Sequence, residues 1–241
     1  MIRSGIAPID ELISVRSPAT TVVTGGAGSG KTAFGLAFAS AGLARGERVA
    51  MLVHARRAAL LAHAGYLGVD IATGLRDGRL MIVRYRDDFA RRFAESPSPE
   101  HVLQDLQGVW GRHRRKRIVI DSVTPLLDAA SPAGVAAAAV AQMLERSGAA
   151  ALLTYPGDVG DSYDRRLEPL IQHAAAILRL TRESSELFRL DALSVRYARA
   201  LVSTVRFSIR RGVGIAPMDS GGDSAVSSAT HGRVVEPFQV S

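Results

Sequence analysis

The chain has no cysteine, which excludes disulfides, thiol nucleophiles and Cys-based zinc or iron–sulfur centres. Its six histidines show no paired metal-ligand spacing, and His54 and His63 stand too far apart to share one helix face; no zinc site is expected. Aromatic residues make up only 5%, and nothing resembles the interleaved aromatic and basic pattern of single-strand nucleic-acid binders, although Trp110 and Tyr155 have rings able to stack on a base. No apolar run approaches the ~20 residues that span a bilayer. The N-terminus "MIRSGIAPIDELISV" lacks the basic-then-apolar order of a signal peptide. The expectation is a soluble, cytoplasmic protein with no membrane span.

Lysine is scarce too: Lys31 and Lys116 are the only two among 30 basic residues. The net charge of +7 and pI near 10.5 suit an anionic partner. Arginine in place of lysine, together with abundant alanine, is equally the mark of a compositional bias, so nucleic acid is a possible partner but not the favoured one. The same choice arises at "GRHRRKR" (111–117), where a solvated helix end, complementing the C-terminal partial charge, is preferred to a nucleic-acid patch.

What is present is an alternation. Apolar strand-length runs at 20–24, 48–54, 80–85, 117–122, 150–155 and 175–181 are separated by helix-length segments starting at Lys31, Arg56, Pro99 and Ala133. Such spacing predicts βαβ units and a mainly parallel sheet with helices on both faces. Continuous rather than alternating hydrophobicity in "VVT", "IVID" and "ALLT" suits strands buried on both sides. Beyond Thr181 the period becomes two, with Val205, Phe207 and Ile209 set against Arg206, Ser208 and Arg210; this predicts antiparallel strands extending one sheet edge with one face wet. At 241 residues the chain accommodates one domain, expected over 1–217, followed by a flexible Gly/Ser-rich tail with a short apolar end over 218–241.

One stretch carries chemistry. Gly25, Gly26, Ala27, Gly28, Ser29, Gly30, Lys31 and Thr32 fit G-x-x-x-x-G-K-[ST], and they stand between a predicted strand and a predicted helix. Glycines let backbone amides turn inward around phosphate oxygens, and the helix N-terminus adds partial positive charge. Lys31 would reach the β- and γ-phosphates, and the Thr32 hydroxyl would ligate Mg²⁺. A metal held there needs a carboxylate at the carboxyl end of a later buried strand. Asp121, ending "RIVID" about 90 residues on with two strands between, is placed to hold the Mg²⁺ shell through water. The loop Tyr155-Pro156-Gly157-Asp158 follows another buried strand and is either a γ-phosphate sensor or an ordinary turn.

"SGIAPIDELI", the phosphate-loop motif, "GLARGERVAMLV", "YLGVD", "GRLMIV", "RIVIDSVTPLL", "AALLTY", "AAILRL" and "VRFSIRRG" follow one another in the order of the KaiC/RadA/GvpD-type RecA-superfamily ATPases, which the chain resembles over roughly residues 4–215. The resemblance implies a RecA-like three-layer αβα sandwich that binds ATP and Mg²⁺. It also implies assembly into rings or filaments, with nucleotide between adjacent subunits.

Two departures from that pattern bear on activity. Where such ATPases carry glutamates that orient the attacking water, this chain reads His54, Ala55, Arg56 and Arg57, with no carboxylate. General acid–base help of that kind contributes about 10²–10⁴-fold. His54 is the residue there able to take a proton, with a structural or surface role as the competing reading; the two arginines are not bases. In the K-x-R-G pattern of the C-terminal hairpin, Ile209 replaces the lysine while Arg211 keeps the arginine. Arg211 is then either a trans-acting contact to a neighbouring subunit's γ-phosphate or an arginine on the wet face of an edge strand. The leading expectation is an ATP-binding protein of weak or absent hydrolysis, serving as a nucleotide-dependent regulatory or assembly subunit, as a homo-oligomer or with a protein partner. The alternatives are a DNA-stimulated RadA-like ATPase with a relocated base, and an interaction module with a vestigial phosphate loop.

Overall fold

The computed structural model describes residues 4–14, 19–85, 91, 95, 108, 116–128, 135–157, 165–196, 199–200 and 202–218. The apolar runs become strands β2 (Thr20–Thr24), β3 (Val49–Val53), β4 (Leu80–Arg84), β5 (Arg117–Asp121), β6 (Ala150–Tyr155) and β7 (Ala176–Arg182). They lie parallel in the order β7-β2-β6-β5-β3-β4. Every residue of β3 is buried, as are Arg117 to Ile120 of β5, which is why these strands read as unbroken hydrophobic runs rather than alternations.

Two cores result from strand pleating, because successive side chains point to opposite faces. Val49, Met51, Val53, Val119 and Leu152 join one core with helices α2 (Lys31–Ala44) and α3 (Arg57–Leu67). Ala50, Leu52, Ile118, Ile120 and Leu153 join the other with α5 (Thr124–Asp128), α6 (Val135–Ser147) and α7 (Glu168–His173). Short helices α1 (Ala7–Leu12) and α4 (Ala72–Arg76), a 3₁₀ turn at Arg165–Leu167 and a two-residue pairing of β1 (Ile13–Ser14) with β9 (Arg199–Ala200) accompany these layers. This is the RecA-like three-layer αβα arrangement expected from the sequence.

Beyond β7 the sheet continues antiparallel through β8 (Leu187–Val195), β10 (Thr204–Arg210) and β11 (Gly214–Pro217). Phe207 of β10 packs edge-on to Phe34 of α2, ring centroids 5.3 Å apart, and stacks on Phe188 of β8 at 5.7 Å. These three rings fasten the antiparallel extension to the phosphate-loop helix. The wet face of β10 departs from strict alternation at Ser208, which is buried between exposed Arg206 and Arg210. It lies in a strand paired on both sides, opposite Ala216 and Leu187.

Arg117 also departs from the sequence reading, which made it the end of a solvated basic run. It is 1% exposed: Nε donates to Glu47 Oε2 at 2.6 Å, Nη1 donates to the carbonyls of Ser4 and Phe38, and the guanidinium sits 4.5 Å above the Phe38 ring. Burial pulls its pKa down and Glu47 pulls it back up. The side chain belongs to the α2 face of β5, opposite Ile118, so alternation buries it once α2 is in place. The expected helix near Pro99 and the tail beyond 218 lie outside the described residues, as do 111–115 and Trp110.

Candidate functional site

Strand β2 ends at Thr24, and the chain turns through Gly25–Gly30 into α2. The turn needs glycine at two positions for stated reasons. A Cβ on Gly25, at φ 148°, would stand 2.3 Å from the Leu180 carbonyl oxygen; one on Gly30, at φ 93°, would stand 2.6 Å from Ile209 Cδ1. Gly30 occupies the cap of α2 without a side-chain capping bond, and the first turn contains no acidic residue. Its leading amides therefore have no intrahelical acceptor, and no carboxylate in that turn offsets the partial positive charge. Gly26, Ala27 and Gly28 are exposed, whereas Ser29 is buried beneath them.

The Lys31 ammonium closes this loop, donating to the carbonyls of Gly25 and Gly26 at 2.6 Å each and to Ser29 Oγ at 3.2 Å. Partial burial lowers its pKa below the ordinary 10.5, opposed by the negative charge of Asp121. Asp121 ends β5 on the sheet face that carries α2, and Thr154 Oγ1 donates to its Oδ1 at 2.6 Å. Thr154 is fully buried, so that carboxylate oxygen is held in place from below. The Gly25 amide donates to the Gly157 carbonyl at 3.2 Å, which puts the loop after β6 directly against the phosphate loop; Asp158 lies outside the described residues. The Thr32 hydroxyl and the Asp121 carboxylate are hard oxygen donors of the kind Mg²⁺ selects. The residues present thus fit the ion that would accompany a nucleotide triphosphate.

His54 follows β3. Its amide donates to the Asp121 carbonyl at 3.3 Å, its carbonyl accepts from Arg84 Nε at 3.2 Å, and its ring lies 5.1 Å from that of Tyr85. Tyr85 is buried, donates its hydroxyl to the Ser122 carbonyl at 3.0 Å, and has its pKa raised well above 10 by burial and by the charge of Asp121. The backbone thus places His54 beside Asp121, with Arg56 and Arg57 exposed at the start of α3. No carboxylate stands among residues 54–57.

A cleft of about 330 Å³ opens along Gly28–Ala33 and is walled by His63, Arg182, Phe188 and Ile209. His54, Asp121 and Arg211 do not line it. Arg211 sits in the β10–β11 turn with its guanidinium 5.9 Å from the Tyr66 ring and is not part of the cleft wall of its own chain. None of the four walling residues was expected from the sequence to line the site: Ile209 is read there as the position where the hairpin pattern loses its lysine, and His63 only as a histidine without a metal-ligand partner. The available signal was Arg182 itself, a cation at the carboxyl end of a strand adjoining the phosphate-loop strand.

A phosphate loop at the carboxyl end of the interior strand β2 of a RecA-like sheet, on the same side as an aspartate at the end of β5, defines a P-loop NTPase-type protein. The family model of the KaiC ATPases matches residues 2–218, and the chain belongs to that family. The fold is also that of a KaiC-like protein from the hyperthermophilic archaeon Pyrococcus horikoshii OT3: TM-score 0.72 at 22% identity, over 90% of this chain and 97% of that one. A comparison with curated proteins finds no match. Among the described residues no helix is long and apolar enough to cross a membrane.

Proposed function

We propose that this chain binds ATP with Mg²⁺ at the Gly25–Thr32 loop and hydrolyses it weakly or not at all, its bound state regulating assembly or a protein partner. The observation that carries this reading is the contrast between a formed phosphate loop and the residues beside it. Lys31, Thr32 and Asp121 are brought to one side of the sheet, while positions 54–57 offer an imidazole and two guanidinium groups in place of a carboxylate. Arginines there can attract phosphate but cannot take a proton from water. A ligand shifts a conformational or assembly equilibrium through its differential affinity alone, so a regulatory role requires no turnover.

Oligomerisation belongs to the same proposal. Arg211 projects from a hairpin turn outside its own cleft, a placement that suits contact with the nucleotide of a neighbouring copy. Sedimentation with and without ATP, comparing wild type with Arg211→Ala, tests this; ATP-promoted assembly lost in the variant is the expected result, and identical profiles would refute it. A cytoplasmic location remains part of the proposal.

One observation favours a second reading. His54 is exposed and joined through its backbone to Asp121, as a relocated base in an active ATPase would be. That reading, coupled to DNA, requires DNA-stimulated turnover with a steep salt dependence. A third, the vestigial loop of an interaction module, requires that millimolar nucleotide leave the melting temperature unchanged.

A further inference from the structure

We propose that Arg182 is a second cation of the nucleotide site, supplied by the same chain, and that it acts on the part of the phosphate chain that ADP and ATP share. The proposal rests on the nucleotide-binding reading above. Its starting point is strand register. β7 runs parallel to β2 with Arg179 opposite Thr24, so Arg182, three residues further, is carried past the end of β2 and over the phosphate loop.

The side chain is oriented from behind. Nε donates to the Ser184 carbonyl at 2.9 Å and Nη2 to the Ser185 carbonyl at 3.3 Å, and the guanidinium lies 5.9 Å from the centre of the buried Phe188 ring. The remaining nitrogen, Nη1, faces the loop, 3.6 Å from where a Cβ on Gly28 would stand. A planar guanidinium fixed along one edge presents the other with little further loss of rotamer freedom, the arrangement that suits phosphate recognition.

Charge in the cleft has one sign. Lys31 and Arg182 line it, and among the described residues no carboxylate does. The acid next in sequence, Glu183, is already engaged by Arg189 at 3.3 Å and by Arg206 at 2.9 Å. Two cations with no neutralising acid among the described wall residues favour a polyanion there.

Topology assigns the phosphates. In the order β7-β2-β6-β5, Arg182 flanks the loop on one side and Asp121 on the other. Asp121 marks the metal and terminal-phosphate side, and the cleft holding Arg182 runs along the first turn of α2. Arg182 therefore serves the inner phosphates.

The test is isothermal titration of ATP and ADP, each with Mg²⁺, into wild type, Arg182→Gln and Arg182→Lys at low and high salt, with thermal unfolding of each protein. Gln keeps a donor for the Ser184 and Ser185 carbonyls but loses the charge; Lys keeps the charge. The expected result is a rise in Kd of about tenfold for both nucleotides in Arg182→Gln, the scale of one charge-assisted contact, with part of it recovered in Arg182→Lys. Wild-type Kd should also rise more steeply with salt than that of the Gln variant, a response that loosening of the β7–β8 turn would not produce. Kd values within twofold of wild type, a loss confined to ATP, or a Lys variant as weak as Gln would each overturn the proposal. Failure of the nucleotide reading itself would show separately, as absence of binding in wild type.

Discussion

Removing the Arg117 side chain should be among the most damaging single changes outside the phosphate loop. Arg117→Ala would leave the Glu47 carboxylate without its 2.6 Å partner, the Ser4 carbonyl without its guanidinium donor, the Phe38 carbonyl with its helical bond alone, and a void beneath the Phe38 ring. Each buried acceptor stripped of its donor costs about 1–3 kcal/mol, and breaking a buried pair by removing one partner costs about 3–5 kcal/mol in all. Glu47 retains 19% side-chain exposure, so water recovers part of its loss; about 3–4 kcal/mol is expected. In a domain of this size that corresponds to a fall in Tm of roughly 6–16 °C. Glu47→Gln keeps an acceptor for Nε but leaves the buried guanidinium without its counter-charge, so its cost should be of the same order, about 3 kcal/mol. Urea unfolding of both variants and of the double mutant measures the costs and their coupling. A loss below about 1 kcal/mol for Arg117→Ala would refute the claim that this buried cation ties the N-terminal segment and α2 to β5.

Three further outcomes follow from the site. Lys31→Ala should weaken ATP binding by about ten- to a hundredfold, the range for a charge-assisted contact to phosphate, while leaving Tm within a few degrees; titration calorimetry with a melting curve checks both. The lowered Lys31 pKa sets a pH dependence: as pH rises toward 10.5, the ammonium is lost in the folded protein before it would be in the unfolded chain. ATP affinity should therefore decline on the alkaline side below 10.5, and this group's contribution to stability should rise with pH in the same window, because the unfolded state binds more protons there. An affinity flat up to pH 10.5 would contradict it. Gly68→Ala should destabilise the protein by about 1–3 kcal/mol, since φ is 72° and a Cβ there would stand 2.4 Å from the Gly212 carbonyl oxygen; unchanged urea unfolding would show that α3 and the β10–β11 turn are not in contact.

The parts of this architecture legible in the sequence are those encoded locally. Strand β6 appears at 150–155 as expected, and the other parallel strands lie within one residue of their predicted ends, because a strand buried on both faces leaves an unbroken apolar run. The phosphate loop was legible for a similar reason: its glycines and Lys31 are contiguous. Asp121 could be placed because it ends such a run. The cleft wall was not legible. His63, Arg182, Phe188 and Ile209 come from α3, β7, β8 and β10, and only the parallel register of β7 on β2 with the antiparallel return of β8 and β10 brings them together. Arg117 misled because a run of basic residues looks solvated in one dimension. Strand alternation and the α2 face, both tertiary, turn its last member inward.

The measurement that tests the central claim most directly is a single-turnover experiment with enzyme in excess over radiolabelled ATP and Mg²⁺, recording binding and phosphate release in the same samples beside a Lys31→Ala control. Binding that depends on Lys31, with phosphate release no faster than in the control, is the predicted result. Lys31-dependent release well above the control would contradict it, and would make His54, beside Asp121, the next residue to replace.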